Sequence, residues 1–205
     1  MKHSSTCLII LLLLSYSKSY ALEITPLAGL RGGGEVVDQV SNENHSIVSS
    51  NIAGLIVSTP YEFGKTLEVY YSHQSSDLKS INVVAPLATT NNATIPVSID
   101  YLHFGGTAPI SDEGNFKTFV SGGLGFTYLS PDFSELNSEL RASISIGAGL
   151  KWPITENVAL RIETRGLATL FNNNSSIFCN GGCTLTVNGS FFMQGEVFAG
   201  LAFKF

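Results

Sequence analysis

Charge is scarce in this chain: 11 Lys and Arg with 16 Asp and Glu make up 13% of its 205 residues, against 44% hydrophobic residues. A soluble domain usually carries about a quarter of its residues as charge, so the composition argues against an ordinary water-facing surface. No basic block is present, and the balance is acidic, which removes any support for nucleic-acid binding. Also missing after residue 21 is an apolar run of about 20 residues, the length a helix needs to cross a bilayer. The apolar residues are therefore dispersed. Cysteine is limited to three residues.

The one concentrated apolar stretch stands at the start. Lys2 and His3 give a short basic opening, Leu8 to Leu14 an unbroken apolar core, and Ser19, Tyr20 and Ala21 a small-x-small cleavage site. Together they predict a secretory signal peptide over residues 1–21, leaving a single domain over 22–205. The apolar core is too short for a retained anchor. Cys7 lies at its front, not its end, which argues against a lipoprotein attachment site. Removal takes Lys2 and Lys18 and no acid, so 11 basic residues become 9 against 16 acidic ones. Cys179 and Cys183 remain, within Phe-Cys-Asn-Gly-Gly-Cys-Thr. In an exported chain, two cysteines this close across glycines predict a disulfide. Half of a metal site is the alternative, but no second Cys or His pair completes it, and no metal or cofactor is implied.

What is present is a period of two. From Leu140 to Trp152 the even positions are Leu, Ala, Ile, Ile, Ala, Leu and Trp, while the odd ones are polar, charged or glycine. Successive strand side chains point to opposite faces, so this segment is a strand with one apolar and one polar face. The same alternation runs through Phe116 to Tyr128, Val158 to Arg165 and Phe191 to Phe205, although Phe192 and Phe198 fall on the polar side. Leu22 to Arg31, Leu67 to Ser72 and Val97 to Tyr101 follow it over shorter spans, with Val97, Ile99 and Tyr101 forming the apolar set of the last. Val48 to Ser58 is ambiguous in face. Eight strands result.

Their connections alternate. Polar runs at Glu35 to Ile47, Ser75 to Thr94, Ser130 to Ser138 and Phe171 to Gly189 take turns with shorter ones at Thr59 to Gly64, Ala108 to Asn115 and Pro153 to Asn157. Alternating long outer loops and short periplasmic turns mark transmembrane barrels, and the order puts both termini in the periplasm. A soluble lipocalin-like barrel would show the same period with its apolar face inward. Three features favour the inverse. The polar faces carry Arg141, Arg161, Glu163, Arg165 and Glu196, which need one another or water as partners. Aromatics stand near strand ends, with Phe116 and Trp152 toward one rim and Tyr71, Tyr128 and Phe191 toward the other, as lipid interfaces favour. Strands of about 10 residues suit a tilted crossing. The fold class expected is thus all-β, an eight-stranded antiparallel up-and-down transmembrane barrel, closed because hydrocarbon tolerates no open edge.

The closing residues Leu201, Phe203 and Phe205, alternating and ending in an aromatic, give the most specific likeness. The chain resembles the small outer-membrane barrels of the OmpA, OmpX and OmpW type. The resemblance implies that Leu201, Phe203 and Phe205 are read by the barrel-assembly machinery, and that outer-membrane lipids and lipopolysaccharide surround a monomer.

Chemistry is harder to place. His73 and His103, on neighbouring strands, are expected roughly 15 Å apart at about 3.4 Å per residue, too far to share a proton. With no nucleophile, base and orienting acid placed together, no catalytic residue is assigned and the chain is read as non-enzymatic. The inward charges are expected to form a structural ion-pair network, since an eight-stranded interior is filled by side chains and is no general diffusion channel. Function then falls to the long loops, in a structural or adhesive, host-interacting role. Transport of a small hydrophobic molecule is the alternative, and lipid A modification a third.

Overall fold

A computed structural model of the chain describes residues 21–37, 44–79, 94–111, 115–132, 137–171, 176–177, 185–186 and 191–205. Residues 1–20 of the expected leader, and Cys179 and Cys183 with their expected disulfide, lie outside the described residues. Eight long strands carry the structure: β1 (Glu23–Gly33), β2 (Ser50–Pro60), β3 (Thr66–Lys79), β4 (Thr94–Ser111), β5 (Lys117–Pro131), β6 (Glu139–Pro153), β7 (Val158–Leu170) and β8 (Phe191–Lys204). Each pairs antiparallel with its chain neighbours. The ring closes where β1 meets β8, from Glu23 opposite Lys204 to Gly33 opposite Gln194. Every barrel strand therefore has two neighbours and no edge is left unpaired, the condition hydrocarbon imposes on a spanning sheet.

The short connections gather at the end that carries both termini. Between β2 and β3 the Tyr61 N–H donates to the Lys65 carbonyl at 2.7 Å, and the corner is taken by Phe63 at φ 57° and Gly64 at φ 74°. Left-handed backbone of this kind suits glycine and is uncommon for phenylalanine. Between β6 and β7 the Thr155 hydroxyl accepts from the N–H groups of Asn157 and Val158, closing the Pro153 to Asn157 turn. The Phe205 N–H donates to the Leu22 carbonyl beside it. At the opposite end a ribbon of Glu35–Val37 paired with Asn44–Ile47 rises above β1 and adds to β3.

Faces follow the period of two. From Glu139 to Ala148 of β6 and Phe191 to Phe203 of β8 the even and odd sets separate, and Ile146 of β6, Leu124 of β5 and Met193 of β8 are 73%, 68% and 67% exposed on the outer wall. Such a continuous apolar wall would be costly against water and suits hydrocarbon. β2, ambiguous in sequence, turns Ile52 and Ile56 inward and Ala53 and Leu55 outward. β4 reverses the expectation over its outer half: Val97, Ile99 and Tyr101 are buried inside, while Ser98 and Asp100 face out. The reason is height. β4 is 18 residues long, roughly 60 Å at 3.3 to 3.4 Å per residue, so its outer part projects past the hydrocarbon and its outward side chains there meet a polar medium. Below, Leu102 and Phe104 restore the apolar outer wall.

Candidate functional sites in the lumen and at the outer rim

The interior of the barrel is layered. At the terminal end a cavity of about 440 Å³ opens between Glu23, Lys117, Lys151 and Lys204, with Lys151 paired to Glu23 at 2.6 Å. Above it β7 places Arg161, Glu163 and Arg165 at successive inward positions. Glu68 of β3 receives both terminal nitrogens of Arg161, at 2.7 and 3.0 Å, a fork that fixes the guanidinium plane. The other side of Arg161 donates to Glu163 at 2.9 and 2.6 Å. The second oxygen of Glu163 accepts from Arg165 at 3.0 and 2.7 Å and from the Ser121 hydroxyl at 2.5 Å. One level higher, Arg31 of β1 donates to Glu196 of β8 at 2.9 and 2.6 Å, and the Tyr70 hydroxyl donates to the other Glu196 oxygen.

Three arginines and three glutamates thus balance charge across a buried site. Aromatic rings cover the guanidinium faces, with Phe119 4.7 Å from Arg161, Tyr70 4.1 Å from Arg165 and Tyr101 4.6 Å from Arg31. Phe198, on the polar face in sequence, lies 5.8 Å from Arg165, which gives its inward position a purpose. Room for these large groups comes from glycine. A Cβ at Gly149 would stand 2.6 Å from the Phe119 ring, and one at Gly147 would meet Ser121 at 2.6 Å and Glu163 at 3.1 Å.

Toward the outer end the lumen turns apolar, filled by Ile52, Val97, Ile99, Leu129, Phe171 and Phe192. Between the two layers, His103 is bonded to Ser143 at 2.7 Å and Ser145 at 3.0 Å, and Tyr101 donates to Gln194 at 2.9 Å.

Of the lumen charges named from sequence, the structure brings Arg161, Glu163, Arg165 and Glu196 into contact through two clusters. It does not bring Arg141 to them. Arg165 sits opposite Gly147, six residues from Arg141 along β6, which is roughly 20 Å at strand rise. Arg141 pairs instead with Glu139 at 2.9 Å near the outer end, 5.6 Å from the Phe171 ring. Arg31 and Glu68 complete the network and carried no such assignment in the sequence. Their inward faces were legible, but which carboxylate meets which arginine depends on the register of strands distant in sequence. Tyr71, Phe116, Tyr128, Trp152 and Phe191 all face outward and are exposed, as are Leu201, Phe203 and Phe205.

The two histidines differ from expectation. Tyr70 faces His103 and His73 faces Asp100, so they are offset by three residues, roughly 10 Å, and lie on opposite faces of the sheet. The structure also places together three groups that the sequence does not associate. His73 Nδ1 is 2.8 Å from Asp100 Oδ1, and His73 Nε2 is 3.1 Å from Ser75 Oγ. All three face outward, and the Tyr71 hydroxyl donates to Asp100 at 2.8 Å. Ser75 opens the connection expected from sequence at Ser75 to Thr94, whereas β3 runs on to Lys79 and so sets Tyr71, His73 and Ser75 on one face. Asp100 could not be matched to them without the register across residues 80–93.

No protein-family model matches the chain, and no curated protein does. Solved structures do match. Neisserial surface protein A is 14% identical, with 90% of this chain and 97% of that chain covered and a TM-score of 0.60. The outer membrane protein OprG from Pseudomonas aeruginosa is 11% identical, with 92% and 97% covered and a TM-score of 0.57. The N-terminal β-barrel domain of OprF from Pseudomonas aeruginosa is 15% identical, with 91% and 98% covered and a TM-score of 0.47. The chain has the fold of small eight-stranded outer-membrane barrels; at these identities chemistry must be argued from its own residues.

Proposed function

We propose that the protein is an outer-membrane barrel, exported behind a cleaved leader at residues 1–21, that holds adhesive or host-interacting loops on a rigid anchor sealed to diffusion. The supporting observation is the lumen. Among the described residues, a charge-balanced layer of buried Arg and Glu and an apolar layer above it fill the lumen where a diffusion pore would need a wide passage, while every long connection departs from the same end. A scaffold filled in this way is stiff, and binding residues concentrate on segments that such scaffolds carry.

The partners follow from this reading. Outer-membrane lipid and lipopolysaccharide meet the apolar wall, the assembly machinery takes the end at Leu201, Phe203 and Phe205, and a host surface ligand meets the loops of a monomer. Bacteria displaying the protein should adhere to host matrix, and adhesion should drop to background when residues 80–93 and 172–190 are replaced by short Gly-Ser turns. Equal adhesion by the trimmed, folded barrel would refute the reading.

A second reading, passage of a small hydrophobic molecule, is favoured by one feature. A hollow of about 690 Å³ on the wall is lined by Phe104, Leu124, Ile144, Ile146 and Met193 around Gly122 and Gly166. Uptake of an alkane probe into vesicles that is lost in G166L would favour it.

A further inference from the structure

We propose that Ser75, His73 and Asp100 form a hydrolytic site on the outside of the barrel, directed at acyl esters of membrane lipids. A single imidazole is held from both ends. Asp100 accepts from Nδ1 at 2.8 Å and so keeps the proton there, which leaves the Nε2 lone pair facing the Ser75 hydroxyl at 3.1 Å. Both distances lie within the reach that proton transfer needs, and nucleophile, base and orienting acid are present in that order. The sheet builds the arrangement from its own geometry. His73 and Ser75 are two residues apart on β3 and so share a face, and Asp100 stands directly opposite His73 on β4. Tyr71, two residues before His73, donates to Asp100 and holds its carboxylate in place. The adjacent Ser76 is committed elsewhere, to the Val48 carbonyl at 2.5 Å, so Ser75 is the nucleophile.

Position selects the substrate class. Below the site the outer wall is apolar at Val69, Leu102 and Phe104, and Tyr71 and Tyr128 flank it at the height where amphipathic rings mark the hydrocarbon boundary. The ester bonds of lipids lie at that boundary, between acyl chains and headgroups. The His73 and Asp100 side chains are 43% and 24% exposed, so a lipid carbonyl can approach from the bilayer side.

In the reaction, Ser75 Oγ forms a bond to the ester carbonyl carbon while its proton passes to His73 Nε2. Ser98 stands opposite Ser75 in the register and so shares its face, where a hydroxyl would serve the oxyanion as donor. Collapse breaks the acyl–oxygen bond, and Nε2 returns the proton to the departing alcohol. Water then gives a proton to Nε2 and attacks the acyl-Ser75, and Ser75 recovers that proton as the fatty acid leaves. Ester and water yield alcohol and carboxylic acid with no other reactant.

The test uses the full barrel refolded in vesicles. One set contains phosphatidylethanolamine alone and another also contains lipopolysaccharide, and released fatty acid is measured by mass spectrometry. A fluorophosphonate probe should mark Ser75, identified by peptide mass, and the wild type should release fatty acid from at least one set; which set distinguishes phospholipid from lipopolysaccharide as the source. S75A and H73A should lose labelling and release by on the order of 100-fold or more, and D100N by a smaller factor. S138A serves as the control at the same rim, and heat-modifiable migration establishes that each variant is folded. Absence of release from both lipid sets, or labelling that persists in folded S75A or H73A, would overturn the proposal. Loop trimming tests adhesion separately, so either reading can fail alone.

Discussion

Glu163 carries more of the lumen than any other single side chain, because its two oxygens hold Arg161 and Arg165 apart from each other and accept the Ser121 hydroxyl as well. Breaking a buried ion pair by removing one partner costs about 3–5 kcal/mol, mostly from the charge left behind. E163Q keeps the shape and removes the charge, leaving three buried arginines against Glu68 and Glu196. The barrel should lose about that much folding free energy, read from urea unfolding by the fluorescence of Trp152, the sole tryptophan. A double variant, E163Q with R165M, should recover part of the loss. Equal stability of E163Q and wild type would mean that the cluster is not closed to water.

Strands set the faces on which these residues act, and a strand's outward positions differ by depth. Ile146 is at the middle of β6 and Leu140 near its outer end, both exposed on the wall. Arginine on a lipid face costs about 2–4 kcal/mol at the midplane and about 0–1 near an interface. I146R should therefore destabilise the folded barrel in bilayers by the larger amount and L140R by the smaller. Comparable costs would remove the assignment of that face to lipid. The last strand has a second role under the proposed function: a variant lacking Phe205 should fold more slowly with purified assembly machinery yet reach the same end state in detergent. Loss of stability in detergent equal to the loss in rate would reduce Phe205 to a packing residue.

The sequence was informative on faces and poor on partners. The period in β6 is unbroken and that in β8 is interrupted only by Phe192 and Phe198, so their two sides could be read directly while those two rings stood as exceptions without an explanation. β4 misled because its period is as regular as the others, and only its length above the bilayer reverses what each side means. Arg31 meets Glu196 through the closure of β1 on β8, Glu68 meets Arg161 across the lumen, and Asp100 meets His73 through the register across residues 80–93, none of which side-chain alternation encodes.

For the whole molecule, the balance of three arginines and three glutamates matters as much as the individual contacts. A buried layer with surplus charge would attract counter-ions and water, whereas the Arg and Glu layer here is balanced and lies beneath Ile52, Ile99 and Phe192. Planar bilayers holding the protein should show no large steady current. A porin-like conductance would remove the sealed lumen and with it the anchor reading.

The seam between β1 and β8 has a consequence in time. The barrel's first strand is hydrogen-bonded to its eighth, so no cylinder exists until all eight strands have been made. Until then the apolar wall has no closed surface to belong to and is open to aggregation. Bringing two strands so distant in sequence together is the step that closes the ring.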